Sequence, residues 1–148
     1  MNKIRNSIVS YRPWLIVIFT IILISCTNKM DKVRELKLEA INNIYNMQND
    51  DAKKNLEKAL KINAKDPEIY YLLGNVYFNE KNYDEAIKYY TEAIEIDSTY
   101  AQAYTSRGKI YRIYNKRDEW CADFTKAYQL GDKTVYNDVR HCIPTIDN

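Results

Sequence analysis

The sequence predicts an all-α chain, a solenoid of three helical hairpins closed by one further helix. A repeat frame carries that reading. Ala59, Ala93 and Ala127 fall 34 residues apart, and their neighbours recur at the same interval. Gly74 is matched by Gly108, Tyr70 by Tyr104, Tyr77 by Tyr111, Ile62 by Ile96, Ala52 by Ala86, and Leu56 by Tyr90 and Phe124. A sustained period of this length with helical spacing inside each unit is the mark of stacked hairpins, each burying its apolar face on the next. Composition agrees: three glycines and three prolines are too few for the many turns of an all-β fold and fit helices joined tightly.

The first element is an address. Lys3, Arg5 and Arg12 form a basic leader with no acidic residue through position 26, and the apolar run Leu15–Ile24 follows. As a helix that run spans about 15 Å, roughly half a bilayer core, which suits a secretory signal better than a permanent span. Residues Leu23-Ile24-Ser25-Cys26 resemble the lipobox of bacterial lipoproteins. The resemblance implies a signal peptide over 1–25, cleavage before Cys26, and a lipid anchor on that cysteine. Several acyl chains, at about 0.8 kcal/mol per buried methylene, would make membrane attachment effectively permanent. An uncleaved signal anchor is the alternative. Residues 26–32 are polar and without periodic hydrophobicity, so they are expected to serve as a short tether. Thr27 stands where an Asp marks inner-membrane retention in lipoproteins of this kind. The expected location is therefore the outer membrane facing the periplasm, in a cell with two membranes.

Three units follow, at 33–66, 67–100 and 101–134. The clearest is the second, with Tyr70, Leu73, Gly74 and Tyr77 on its first helix, Tyr83, Ala86, Tyr90 and Ala93 on its second, and Ile96 near its end. This order of aromatic, Leu-Gly, aromatic, Ala, aromatic and Ala resembles the tetratricopeptide repeat (TPR). Gly74 and Ala86 are expected where the two helices cross, with the aromatics filling the space between hairpins. Asp66-Pro67 predicts an N-cap with proline at the first helical position, and Asn82-x-x-Glu85 a capping box. The third unit departs at Arg107, where Leu is usual, and at Trp120, where Ala is usual and a large ring is expected to push the hairpin apart. The first unit lacks the aromatic frame on its first helix, as terminal repeats do.

Past Gly131, a residue suited to ending a helix, Lys133–Cys142 is amphipathic and predicts the closing helix, with Pro144 blocking continuation. The segment 135–148 is thus assigned as capping helix and tail. Cys121 and Cys142 lie at matching distances either side of Gly131, so antiparallel helices would bring their sulfurs to one height. In an exported protein this favours a disulfide, with free buried thiols as the alternative. The run from Cys121 to Gly131 also resembles the closing repeat of many exported bacterial TPR proteins.

Beyond residue 26 the chain holds 19 basic and 20 acidic side chains, which gives no basic face for nucleic acid. His141 is the single histidine, and no nucleophile motif, phosphate-cradling glycine loop or metal-spaced cluster occurs. An enzyme, a cofactor, a metal site and a small-molecule substrate are accordingly not expected. The TPR resemblance implies binding of a protein or peptide on the concave face lined by each unit's first helix. That face would carry Arg34, Lys37 and Ile41, then Glu68, Tyr71, Asn75, Phe78 and Asn79, then Gln102, Thr105, Lys109 and Arg112. Tyr71 and Phe78 would offer an apolar strip, flanked by the charges of Lys37, Lys109 and Arg112. Some TPR domains clamp a C-terminal carboxylate with lysines and two asparagines; Asn75 matches one, but Ile41 stands in place of the other. The function expected is an adaptor or scaffold in an envelope assembly. Its alternative is a structural subunit packing through convex tyrosines such as Tyr83, Tyr89 and Tyr100.

Overall fold

The computed structural model describes residues 12–142, with side chains described at Ile18 and from Thr27 onward. Lys3, Arg5, the Cys26 side chain and Pro144 lie outside the described residues. Among the described residues there are seven α-helices: α1 (Arg12–Tyr45), α2 (Asn49–Ile62), α3 (Pro67–Asn79), α4 (Tyr83–Ile96), α5 (Ala101–Ile113), α6 (Arg117–Gln129) and α7 (Tyr136–Cys142). A 3-10 turn, Lys133–Val135, precedes α7, and no strand occurs among the described residues. The chain divides into two compact units, Met1–Glu35 and Leu36–Asn148.

α1 continues without a break through 26–32, the segment expected to be the short tether. No proline or glycine interrupts it there, and two exposed pairs one turn apart brace it: Arg34 to Asp31 at 2.7 Å and Lys32 to Glu35 at 3.0 Å. As helix, residues 26–32 advance about 10 Å rather than the 20 Å of extended chain. No helix among the described residues is long and apolar enough to cross a membrane.

The second unit is the solenoid. Its helices recur in the predicted frame because its loops do. Met47, Lys81 and Asn115 adopt left-handed backbone (φ 60°, 60° and 56°) at the turn of each hairpin. In each turn the next N–H bonds back five residues: Gln48 to Asn43, Asn82 to Tyr77, and Lys116 to Tyr111, at 2.8–2.9 Å. This closure satisfies carbonyls that a helix end leaves open. It also corrects the capping box at Asn82. A capping box needs Glu85 to accept from the Asn82 N–H, but that N–H is already bonded to Tyr77, and the Asn82 side chain makes no cap bond. Asp66, by contrast, accepts from the Glu68 N–H at 3.0 Å, with Pro67 at the start of α3.

Inside each of the last two hairpins a glycine lies under an aromatic ring. A Cβ on Gly74 would sit 2.4 Å from Tyr90 Cε1, and one on Gly108 2.8 Å from Phe124. The closest approach to each glycine is therefore an aromatic ring of the facing helix, and Ala86 is fully buried as well. Trp120 does not splay α5 from α6. It lies beside Phe124 with ring centroids 5.6 Å apart and packs against the buried cluster of Phe124, Ala127 and Val135, the last from the closing segment. The closing segment itself is less regular than one helix. Asp132 caps a 3-10 turn by accepting from the Thr134 N–H at 2.9 Å, Val135 is buried, and α7 follows. Cys121 and Cys142 are bridged, with Cα atoms 5.4 Å apart, and join α7 to α6.

Candidate peptide-binding groove

Helix periodicity brings Tyr71 of α3 and Gln102, Thr105 and Lys109 of α5 to one side of the solenoid. There they border a cleft of about 590 Å³ whose far wall is the Leu130–Asp132 loop. Tyr71 and Tyr100 form its aromatic side, their ring centroids 5.3 Å apart and edge to face. Tyr71 also leans on Tyr90, centroids 5.8 Å apart. The Tyr90 hydroxyl donates to Asn75 Oδ1 at 2.8 Å, which fixes the ring that supports Tyr71. Burial pushes the Tyr90 and Tyr100 phenols up, so both remain neutral across physiological pH.

The opposite side is polar. Thr105 Oγ1 donates to Asp132 at 2.6 Å, and Asp132 also accepts from the Thr134 hydroxyl at 2.6 Å. Burial alone would raise the Asp132 carboxyl, but these bonds and the Lys109 charge outweigh it and hold the group below its ordinary value. Lys109 is exposed and makes no ion pair within 4.0 Å among the described residues, although its charge acts on the Asp132 carboxylate.

Of the residues expected on that face, the structure brings Tyr71, Gln102, Thr105 and Lys109 to this cleft, and Asn75 holds the Tyr90 ring behind Tyr71. Phe78 and Asn79 do not line it; Phe78 packs on Tyr83, centroids 5.6 Å apart. The other two cations are occupied. Lys37 donates to Asp66 at 2.8 Å and Glu68 at 2.5 Å. Desolvation opposes its charge, yet those two carboxylates raise its pKa on balance. Arg112 pairs with Asp138 of α7 at 2.5 Å and stands over the Phe124 ring. Ile41 is exposed, and Arg34 pairs with Asp31. The flanking positive charge expected from three side chains thus reduces to Lys109.

Two features escaped the sequence reading. Asp132 was not singled out, although Asp132-x-Thr134 repeats the bonding of Asp97-x-Thr99, whose Asp97 accepts from the Thr99 N–H at 2.8 Å. The second is a buried ion pair. Arg107 donates twice to Asp123, at 2.9 and 2.8 Å, and once to Thr91 of α4 at 2.9 Å. Burial acts against the guanidinium charge, and Asp123 more than offsets it.

Of the convex tyrosines, Tyr89 stacks on Tyr77 with an interplanar angle of 8°, and burial pushes its phenol up to about 12. Tyr83 packs between Phe78 and Tyr114, and Tyr100 belongs to the cleft. His141 is exposed, and its backbone carbonyl accepts from Arg117 at 2.6 Å.

A family model described as tetratricopeptide repeat matches residues 67–100, and another described as TPR repeat matches residues 48–80. The Hsp70-Hsp90 organizing protein of Triticum aestivum is 34% identical over 58 residues, covering 39% of this chain and 10% of that protein. This chain therefore corresponds to about a tenth of that relative's length. Among solved structures, the first TPR of Spaghetti (RPAP3) bound to the HSP90 peptide SRMEEVD superposes with a TM-score of 0.68. It is 20% identical and covers 76% of this chain and 90% of that one. The second TPR domain of human RPAP3, in complex with the HSP70 peptide SGPTIEEVD, gives a TM-score of 0.67 at 19% identity, covering 77% and 97%. These matches recognise TPR repeats in this chain and show its fold as a TPR solenoid.

Proposed function

We propose that this protein is an exported, lipid-anchored adaptor whose TPR solenoid holds a peptide segment of a partner in the cleft between Tyr71 and Asp132. The observation that carries the reading is the pairing of an aromatic wall, Tyr71 and Tyr100, with the exposed and unpaired ammonium of Lys109. That combination suits a segment with an apolar side chain and a nearby carboxylate. The peptides named with the two similar structures, SRMEEVD and SGPTIEEVD, are of that chemistry. The ligand here need not be a chain terminus, since Ile41 replaces one amide of the carboxylate clamp and Lys37 is neutralised by Asp66 and Glu68.

The anchoring half of the proposal rests on Leu23–Cys26 and the basic, apolar leader before it. The Cys121–Cys142 bridge supports export, because disulfides persist in oxidising compartments. One experiment tests both halves. A photo-crosslinking residue replaces Gln102 at the cleft rim, and adducts are collected from intact cells after membrane fractionation. Tyr71→Ala and Lys109→Glu should each cut the yield of the same adduct about tenfold, the effect of losing one contact worth about 1.4 kcal/mol. Cys26→Ser should move the protein out of the membrane pellet. Unchanged adducts in both cleft variants sink the groove, and an unmoved Cys26→Ser protein sinks the anchor.

A further inference from the structure

A second aromatic wall crosses the face that carries the cleft. Phe78 stands seven residues after Tyr71 on α3, which turns it to within about 20° of Tyr71 and sets it about 10 Å further along the helix. It packs on Tyr83, and Tyr83 on Tyr114 at the end of α5, with ring centroids 5.6 and 6.1 Å apart. The Tyr114 hydroxyl donates to Asp84 at 2.9 Å and fixes that end of the wall. Beside it Ile113 is 49% exposed, one turn past Lys109 and about 40° round α5 from it. Tyr71, Tyr100, Phe78 and Tyr83 all rest on the buried cluster around Tyr90 and Ile110, so the spacing of the two walls is built into one core. Between the walls the face is polar, with Asn75 on α3 and Lys109 on α5.

We infer that this face binds an internal segment of a partner protein that carries two apolar side chains three residues apart, with a carboxylate between them. One apolar side chain sits on Tyr71 and Tyr100, the other on Phe78 and Ile113, and the carboxylate meets Lys109. The inference rests on the cleft being a peptide site and adds a second anchor to it. Spacing selects the backbone of the segment. In a polyproline II helix three residues span about 9 Å and return the side chain to the same side, which matches the two walls. A β-strand covers that length in three residues but points the two side chains to opposite faces. An α-helix needs seven residues to reach both walls and so orders more chain for the same contacts. Charge places the carboxylate in the middle. Arg112 is paired with Asp138, and at the Tyr71 end the Asp132 carboxylate, bonded to Thr105, would repel an acid.

The test selects binders to the full-length protein in detergent micelles from random segments displayed inside a phage coat protein, so that no segment has a free terminus. The expected selected segments carry two apolar residues three apart with Asp or Glu between them. A synthetic copy of one such segment, blocked at both ends, should bind Ile113→Gln about tenfold more weakly than the unaltered protein. A version with glycine in place of the apolar residue that meets Ile113 should bind the two proteins equally. Ile113 is exposed, so the circular dichroism of Ile113→Gln should not change. Selected segments with a single apolar position, or with two apolar positions seven apart, would overturn the inference and leave the cleft as a peptide site. An absence of selected segments would sink the cleft itself, and the inference with it.

Discussion

The middle hairpin, α3–α4, and the last one, α5–α6, share a backbone plan and differ in what holds them together. In the middle hairpin Leu73 is buried, Tyr77 stacks on Tyr89, and Tyr90 covers Gly74. One frame later, Arg107 stands for Leu73 and Asp123 for Tyr89, and the two form an ion pair. Phe124 still covers Gly108. Among the described residues, the last hairpin is followed by the 3-10 turn and α7 rather than by another hairpin. Its outer side is held by α7 through the Cys121–Cys142 bridge, Arg112 to Asp138, and Arg117 to the His141 carbonyl. The repeat therefore fixes backbone and the glycine–ring contact, while the chemistry between them is exchangeable. Here covalent and charged contacts to α7 hold the side that, in the middle hairpin, packs on the next repeat.

The sharpest way to break this comparison is to remove one member of the ion pair. Asp123→Ala leaves the Arg107 guanidinium, 15% exposed, without its carboxylate. A buried charge stripped of its partner costs about 3–5 kcal/mol. Converting the pair to the middle hairpin's residues, Arg107→Leu with Asp123→Tyr, should recover most of that loss, since well-packed apolar replacements of buried pairs are often neutral or stabilising. Denaturant unfolding of the three proteins checks this. A double variant as unstable as Asp123→Ala would show that the two hairpins are not exchangeable.

A smaller effect separates the two glycines. Overpacking a core by one methyl costs about 1–3 kcal/mol. Gly74→Ala should sit at the upper end and Gly108→Ala below it, because the added carbon meets a ring at 2.4 Å in one case and 2.8 Å in the other. The Tyr90 ring is further pinned by its bond to Asn75, while Phe124 has no polar handle. Thermal melts that reverse the order would refute the claim that the middle hairpin is the tighter of the two.

The frame itself was legible in the sequence because it is local and periodic: Gly74 and Gly108, Asp66-Pro67, and the three alanines each report a position on a helix. The charges of the groove were not. Lys37 and Arg112 fall on the expected face, yet their partners come from elsewhere, Asp66 and Glu68 from the next hairpin and Asp138 from α7. Helical spacing along one element says which way a side chain faces and nothing of what meets it there. Arg107 was visible as a departure from the repeat, but its answer in Asp123 lies 16 residues away on another helix. The loop strain at Met47, Lys81 and Asn115 was equally hidden, since two of the three residue types give no sign of left-handed backbone.

Those loops supply the smallest test. Lys81 and Asn115 hold equivalent turns with nearly the same φ, 60° and 56°. For most L-residues this conformation costs about 1–2 kcal/mol, whereas asparagine tolerates it. Glycine removes the cost but is freer in the unfolded chain, so Lys81→Gly should gain about 0.5–1 kcal/mol net. Asn115→Gly should gain a few tenths at most. Lys81→Ala keeps the Cβ and should gain nothing, which separates backbone relief from loss of the exposed lysine side chain. If unfolding midpoints show Lys81→Gly no better than Lys81→Ala, the turn of the middle hairpin is unstrained, and the tolerance of these loops has to come from their backbone hydrogen bonds alone.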